Sequence, residues 1–172
     1  MLTKSLEDLM NDQIANEMFA SNQYLAMSAY FEDLSLPGFA RWFRLQAEEE
    51  REHAMKFYDF IHDRNGRTRL QAIGQPLIEF GSPLGVFEKA LAHEQKVTAQ
   101  INNIYATAVR ENDFASQAFL NWFVTEQVEE EKNAQQLIDT LRLIGDRGDA
   151  LVMLDRELGA REPGQEQDGA ES

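Results

Sequence analysis

A glutamate recurs in the middle of otherwise apolar helical stripes, and this feature constrains the fold more than any other. Residues 5 to 34 carry Leu6, Met10, Ala20, Met27 and Phe31 at helical spacing, and Glu17 interrupts that stripe. The next segment reads Phe39, Trp42, Phe43, then Glu50 and His53, then Phe57, Phe60 and Ile61. In a third, Glu94 stands between Phe87 and Leu91 on one side and Val97, Ile101 and Ile104 on the other. A fourth stripe, Leu120, Phe123, Ala134, Leu137, Leu141 and Ile144, is broken by Gln127 and Glu130. A carboxylate facing a core is costly unless it is paired or binds a cation, so these interruptions imply a use.

The interruptions are spaced as parts of one object. Glu94 follows Glu17, Gln127 follows Glu50 and Glu130 follows His53 by the same 77 residues, and 33 residues separate the lone Glu from the paired site in each half. The chain is therefore a duplicated helical hairpin. An antiparallel hairpin turning near Leu36 puts Glu17 and Glu50 at about the same height, because both arms rise at the same rate per residue. The same holds for Glu94 and Gln127 about a turn near Asn112. Glu50 and His53 stand at i and i+3, so both side chains point the same way and can hold one ion between them.

Helix punctuation fits four long helices and a short fifth. Pro37 and Gly38 start the second helix and Gly66 follows its end. Ser82 and Pro83 open the third, Asn112 or Asp113 caps the fourth, and Gly145 stops it. The connection over residues 66–82 is long for a compact bundle. A helix of roughly 27 residues spans about 40 Å, which an extended chain crosses in about 12 residues. Such a loop can traverse the bundle and leave the two middle helices parallel. After Gly148 comes a segment with Leu151, Val152, Leu154 and Leu158, marginal alone and expected to seek a partner surface. Residues 1–161 form one domain, and residues 162–172, with Pro163, Gly164 and Gly169, read as a disordered polar tail.

Composition narrows the chemistry. At 172 residues and 43% hydrophobic content the chain has material for one core. No stretch approaches a membrane span and the N-terminus is amphipathic and acidic, so the expected location is cytoplasmic. With no cysteine, any metal is held by oxygen and nitrogen ligands, without disulfides or iron–sulfur clusters. A net charge of −14 argues against nucleic acid and anionic membranes as partners and suits cations.

Four helices with a long crossover, Glu17, then Glu50-Arg51-Glu52-His53, then Glu94, then Gln127-Val128-Glu129-Glu130, resemble the ferritin family, and within it the non-haem ferritins of prokaryotes. The resemblance covers residues 1 to about 161. It implies an all-α, ferritin-like four-helix bundle with a long crossover between helices 2 and 3 and a short C-terminal fifth helix. It also implies a ferroxidase, which oxidises Fe(II) with O2 or peroxide at a diiron centre inside each subunit. The product, a ferric oxyhydroxide, would be stored in a hollow homo-oligomeric cage of 24 subunits.

By that resemblance Glu17 and His53 complete one iron site, Glu94 with Glu130 or Gln127 completes the other, and Glu50 bridges them. Tyr24, seven residues after Glu17 on the same face, matches a tyrosine that neighbours the ferritin site and can supply an electron, a role open also to Trp122. Glu49, Glu126 and Glu129, with Glu130 shared, match a third iron site, and Glu126 again follows Glu49 by 77 residues. Departures from neighbouring families are informative. Bacterioferritins carry a second Glu-x-x-His where this chain has Gln127 and Glu130, and a haem-ligating Met where it has Arg51, so no haem is expected. Rubrerythrins add a Cys-rich iron domain, which a Cys-free chain lacks.

Blander readings compete at individual positions. The string Glu48, Glu49, Glu50 and Glu52 could be a solvated charge run, which suits Glu48 and Glu52 but not Glu50 on the apolar stripe. Gln127 could serve only as a hydrogen-bonding neighbour of ligands, and Tyr24 as ordinary core. His62 and His93 have no matching partners and read as surface residues. The alternative function is a soluble di-metal (Fe or Mn) redox enzyme of the same superfamily, which calls for a substrate pocket and commonly a second histidine. Divalent affinity order favours Zn²⁺ and Cu²⁺ over Fe²⁺ in such a site.

Overall fold

Each long helix starts and stops where local chemistry dictates. Thr3 accepts a hydrogen bond from the Leu6 N–H and opens α1 (Lys4–Asp33). Pro37 begins α2 (Pro37–Asp63), where its missing N–H costs nothing. Ser82 accepts from the Gly85 N–H at 3.0 Å and caps α3 (Pro83–Arg110). Asp113 accepts from the Ser116 N–H at 3.0 Å and caps α4 (Phe114–Ile144), and a short α5 spans Gly148–Gly159. Of the two residues expected to cap α4, Asn112 is disqualified because it takes the left-handed conformation that ends α3. Three helices close alike: Ser35, Asn65 and Asn112 have φ near 57°, at 59°, 57° and 56°. The next N–H then reaches back five residues, from Leu36 to Phe31, Gly66 to Ile61 and Asp113 to Ala108, satisfying a last-turn carbonyl. These coordinates form a computed structural model that describes residues 1–161; the tail expected over residues 162–172 lies outside the described residues.

The crossover travels in the direction of α1, held by side chains on that helix. The Arg67 N–H donates to Glu7, Asn11 brackets the Arg67 carbonyl and the Arg69 N–H, Gln71 donates to Asp12, and Gln23 pairs both ways with the Leu77 backbone. Contacts thus climb α1 from Glu7 to Gln23 while the loop advances from Arg67 to Leu77, returning the chain to the level where α2 began. α3 therefore runs parallel to α2, as the loop length implied. Buried amides serve as rails for loop backbone that has no ladder of its own.

Two apolar clusters fill the bundle. One centres on Phe31, Phe39, Trp42, Phe43 and Phe87, with Phe31 stacked on Phe39 at 4.8 Å. The other gathers Leu6, Met10, Phe57, Ile101 and Phe123. A polar layer belongs to neither: Gln13, Glu17, Gln46, Glu50, His53, Glu94, Gln127 and Glu130 are all buried. Among the described residues no helix is long and apolar enough to cross a membrane.

The partner surface that Leu154 and Leu158 were expected to seek lies within the subunit itself. Both are buried inside the subunit, with relative exposures of 5% and 1%, in the same cluster as Leu36, Phe39 and Trp42. α2 has no side-chain cap of its own, since its N-cap residue is Leu36. Asp155 of α5 supplies one, accepting from the Gly38 and Phe39 N–H groups at 2.8 and 3.0 Å and placing a carboxylate at the positive end of the helix. A Cβ on Gly38 would fall 1.6 Å from the Asp155 carbonyl oxygen, so only glycine permits this approach.

Candidate metal centre

The hairpin register brings Glu17 of α1 level with Glu50 and His53 of α2, as the spacing implied. Each offers a ligand atom, and these atoms lie within 4.8 Å of one another in a fully buried setting. Gln13 donates to Glu17 Oε1 at 2.9 Å. His53 Nδ1 sits 3.4 Å from Glu50 Oε2 without forming a hydrogen bond. Apart from a proton shared between the two carboxyls, Glu17 Oε2 and Glu50 Oε2 are buried with no hydrogen-bond partner. Buried carboxyl oxygens are rarely left in this condition, and a cation bound by three such groups satisfies them.

The α3–α4 hairpin contributes its half differently. Glu94 accepts from the Tyr24 hydroxyl and, at 3.1 Å, from Gln127 Nε2, which also lies 3.2 Å from the Glu94 carbonyl oxygen. Glu130 Oε2 accepts from Gln46 Nε2 at 3.0 Å. These carboxyls are thus held by neutral donors, whereas Glu17, Glu50 and His53 face one another.

Burial dominates the electrostatics of this layer. Burial pushes Glu17 well above the usual carboxylate range, and the neighbouring Glu50 adds to it. Burial does the same to Glu50, reinforced by Glu94 and Glu130, and to Glu130, reinforced by Glu94 and Glu49. Glu94 is raised by burial and partly relieved by its bonds from Tyr24 and Gln127, while burial and the Glu94 charge hold Tyr24 protonated. Without a cation these carboxyls retain protons, which an incoming metal must displace. Zinc binding at neutral pH is accordingly expected to release more than one proton per subunit. Calorimetry in buffers of different ionisation enthalpy measures this, and a buffer-independent heat would show the carboxyls to be ionised already.

On the outer side of His53 lies a cavity of about 140 Å³, lined by Glu49, Glu126, Glu129 and Glu130 together with Trp122. His53 Nε2 is 3.9 Å from Glu126 Oε1, so the imidazole turns one nitrogen to each carboxylate group. Trp122 meets the His53 ring edge-on at 5.2 Å between centroids. Glu48 and Glu52 are exposed, as a solvated face predicts.

His62 is exposed and bonded to Thr68 at 3.0 Å, matching expectation. His93 is not a surface residue. Its ring packs about 6 Å from those of Phe19 and Tyr24, at 6.0 and 6.1 Å, with Nε2 buried and unpartnered. Burial, with Lys96 nearby, lowers it to about 4 and keeps it neutral. Its place beside Glu94 puts it at the margin of the buried face.

Sequence reasoning missed Gln13, Gln46 and Arg161. The two glutamines each stand four residues before a buried glutamate, Glu17 and Glu50, one turn away on the same face, a signal that was available. The 77-residue repeat hides them, because it matches Gln13 to Ala90 and Gln46 to Phe123. Arg161 carries no local signal.

Comparison with known proteins adds an independent line. Residues 7–144 match the family described as the ferritin-like domain. A bacterial non-heme ferritin from Staphylococcus aureus (strain USA300) and one from Staphylococcus haemolyticus (strain JCSC1435) are each 44% identical over 161 residues, 94% of this chain and 97% of the relative. Among solved structures, an open pore ferritin from the hyperthermophilic archaeon Archaeoglobus fulgidus superposes with a TM-score of 0.93 at 42% identity, covering 94% of this chain and all (100%) of that one.

Proposed function

Since the chain belongs to the ferritin family, we propose that it stores iron, oxidising Fe²⁺ at a two-iron centre in the polar layer and holding the ferric product inside an oligomeric cage. The observation that carries this reading is the buried trio of Glu17, Glu50 and His53, in which one oxygen of each carboxyl meets no hydrogen-bond partner beyond the other carboxyl. Carboxylate and imidazole suit Fe²⁺, and several carboxylates offset the charge gained on oxidation.

In this proposal Glu17 and His53 hold one ferrous ion and Glu94 holds the other with Glu130 or Gln127. Glu50, coupled by charge to Glu94 and Glu130 on one side and to Glu17 on the other, bridges the pair. Each Fe²⁺ gives up one electron, and O2 takes both with two protons to leave as hydrogen peroxide. Where peroxide is the oxidant, it takes two electrons and two protons and leaves as two waters. Carboxyls that surrender protons on binding metal are a local source for either step. Tyr24, donating to Glu94, is positioned to pass an electron toward the centre.

Glu49, Glu126 and Glu129, with Glu130 shared, form the proposed third iron site beside the pair. Glu126→Ala is expected to change the iron-to-oxygen ratio while sparing the first fast turnover, since Glu126 lies outside the inner trio. Oxygen-electrode and stopped-flow measurements separate the two effects, and equal loss of the first turnover would make Glu126 a primary ligand.

The rival reading, a di-metal enzyme acting on an organic substrate, is disfavoured by the cavity beside the centre. At about 140 Å³ and lined mostly by charged side chains, Lys56 and Arg161 among the glutamates, it is small against the roughly 300–1,000 Å³ of typical organic-ligand sites. Gel filtration combined with Fe²⁺ loading in air tests the proposal. A particle of several hundred kilodaltons built from 19.7 kDa chains, consistent with 24 copies, should retain the iron as a soluble ferric mineral. A small oligomer that precipitates its iron would contradict it.

A further inference from the structure

The outer carboxylate group already contains a cation belonging to the protein. Arg161, just past α5, donates through Nη2 to both oxygens of Glu49 at 2.9 and 3.0 Å and through Nη1 to Gln46 Oε1 at 2.5 Å. Its guanidinium lies 5.4 Å from the centre of the Trp42 ring. Gln46 passes the contact inward, donating from its other end to Glu130 Oε2 at 3.0 Å. The Arg161 side chain is only 10% exposed. Its backbone is held by the Leu158 carbonyl and by Arg41, so the seating of α5 on Gly38 fixes where the guanidinium falls.

We propose that Arg161 is a tethered counter-ion that competes with metal for the outer carboxylate group, and thereby sets that group's affinity and its preference for multiply charged cations. This rests on reading Glu49, Glu126 and Glu129 as a cation site. With the guanidinium fork drawn up to both oxygens of Glu49, an entering multiply charged ion is repelled by Arg161 and competes for the same lone pairs, so its entry displaces the fork. Exchanging a fixed single charge for another single charge gains nothing among four carboxylates. A divalent or trivalent ion gains Coulomb energy and wins. Release also frees Gln46 Oε1, one bond away from Glu130, so occupancy of the outer group alters the hydrogen bonding of a proposed ligand of the inner pair.

The test uses the assembled full-length protein and Zn²⁺, which cannot be oxidised, followed by calorimetry. The outer component is identified as the binding lost in Glu126→Gln. In Arg161→Gln that component should tighten about five- to ten-fold, the range expected for loss of a competing partly exposed ion pair, while the inner component, reached only through Gln46, should shift by less. Arg161→Lys, which keeps the charge but not the two-pronged bond, should fall between the parent and Arg161→Gln. In a Trp122→Phe background, filling the outer site should also change Trp42 emission in the parent but not in Arg161→Gln. Weakened or unchanged outer binding in Arg161→Gln, or Trp42 emission indifferent to zinc, overturns the proposal while leaving the outer cation site intact. If Glu126→Gln removes no zinc component, the cation-site reading falls, and the proposal with it.

Discussion

Glu50→Gln is expected to slow the fast phase of ferrous oxidation at least ten-fold and at the same time to raise the melting temperature of the cation-free protein. Both effects come from one group. Glu50 is 1% exposed, and one of its oxygens lacks a hydrogen-bond partner. Burial and the charges of Glu94 and Glu130 hold its carboxyl well above the usual range. Such a group supports the fold while protonated, below the ordinary carboxylate range. That support is lost as pH rises through the elevated folded-state value. The parent protein in chelator should therefore melt lower at pH 8 than at pH 5, and Glu50→Gln, nearly equal in volume, should flatten that dependence and gain several degrees at pH 8. Added Zn²⁺ should stabilise the parent and act much less on the variant. His53→Ala is expected to lose the fast phase without the gain in stability, because it removes a ligand and leaves the buried carboxyls in place. Stopped-flow absorbance and thermal melts by circular dichroism read the two effects. An unchanged fast phase would remove the centre from this position, and a destabilised cation-free Glu50→Gln would make Glu50 a structural group.

Gly38→Ala is expected to cost about 3–5 kcal/mol, combining the loss of two backbone caps with the uncovering of two leucines. The added Cβ would sit 1.6 Å from the Asp155 carbonyl oxygen, a backbone atom that cannot swing aside, so α5 must lift from the start of α2. Lifting breaks both bonds to Asp155 Oδ1 and exposes Leu154 and Leu158. Asp155→Ala removes the cap alone and should cost about 1 kcal/mol. Denaturant melts of both variants measure the difference. Equal stability of Gly38→Ala and the parent would mean that α5 contributes nothing to the subunit. Truncation at Asp149 would therefore strip an N-terminal cap from α2.

That case shows where sequence reading ran out. Stripe and repeat arguments place Glu17, Glu50, His53, Glu94, Gln127 and Glu130 in one buried layer, because duplication leaves the same spacing in both halves and hairpin geometry turns spacing into height. The crossover direction was legible from length alone, since 17 residues over 66–82 exceed what a tight turn needs. The Asp155 cap joins residues 116 and 117 positions apart, and no local periodicity reports such a contact. Asn11 and Gln23 were silent because they serve loop backbone more than 50 residues away, and Gln13 and Gln46 were overlooked because the repeat does not reproduce them. His93 was misplaced because a titratable residue without a partner resembles surface, while its ring is apolar enough to pack between Phe19 and Tyr24.

Iron binding in the buried polar layer can be located directly. Crystals soaked anaerobically in Fe²⁺ and measured on either side of the iron absorption edge give that position without reference to activity. Two anomalous peaks per subunit are predicted inside the bundle, one among Glu17, Glu50 and His53 and one beside Glu94 and Glu130. Iron confined to surface carboxylates, with no peak in the buried polar layer, would contradict it.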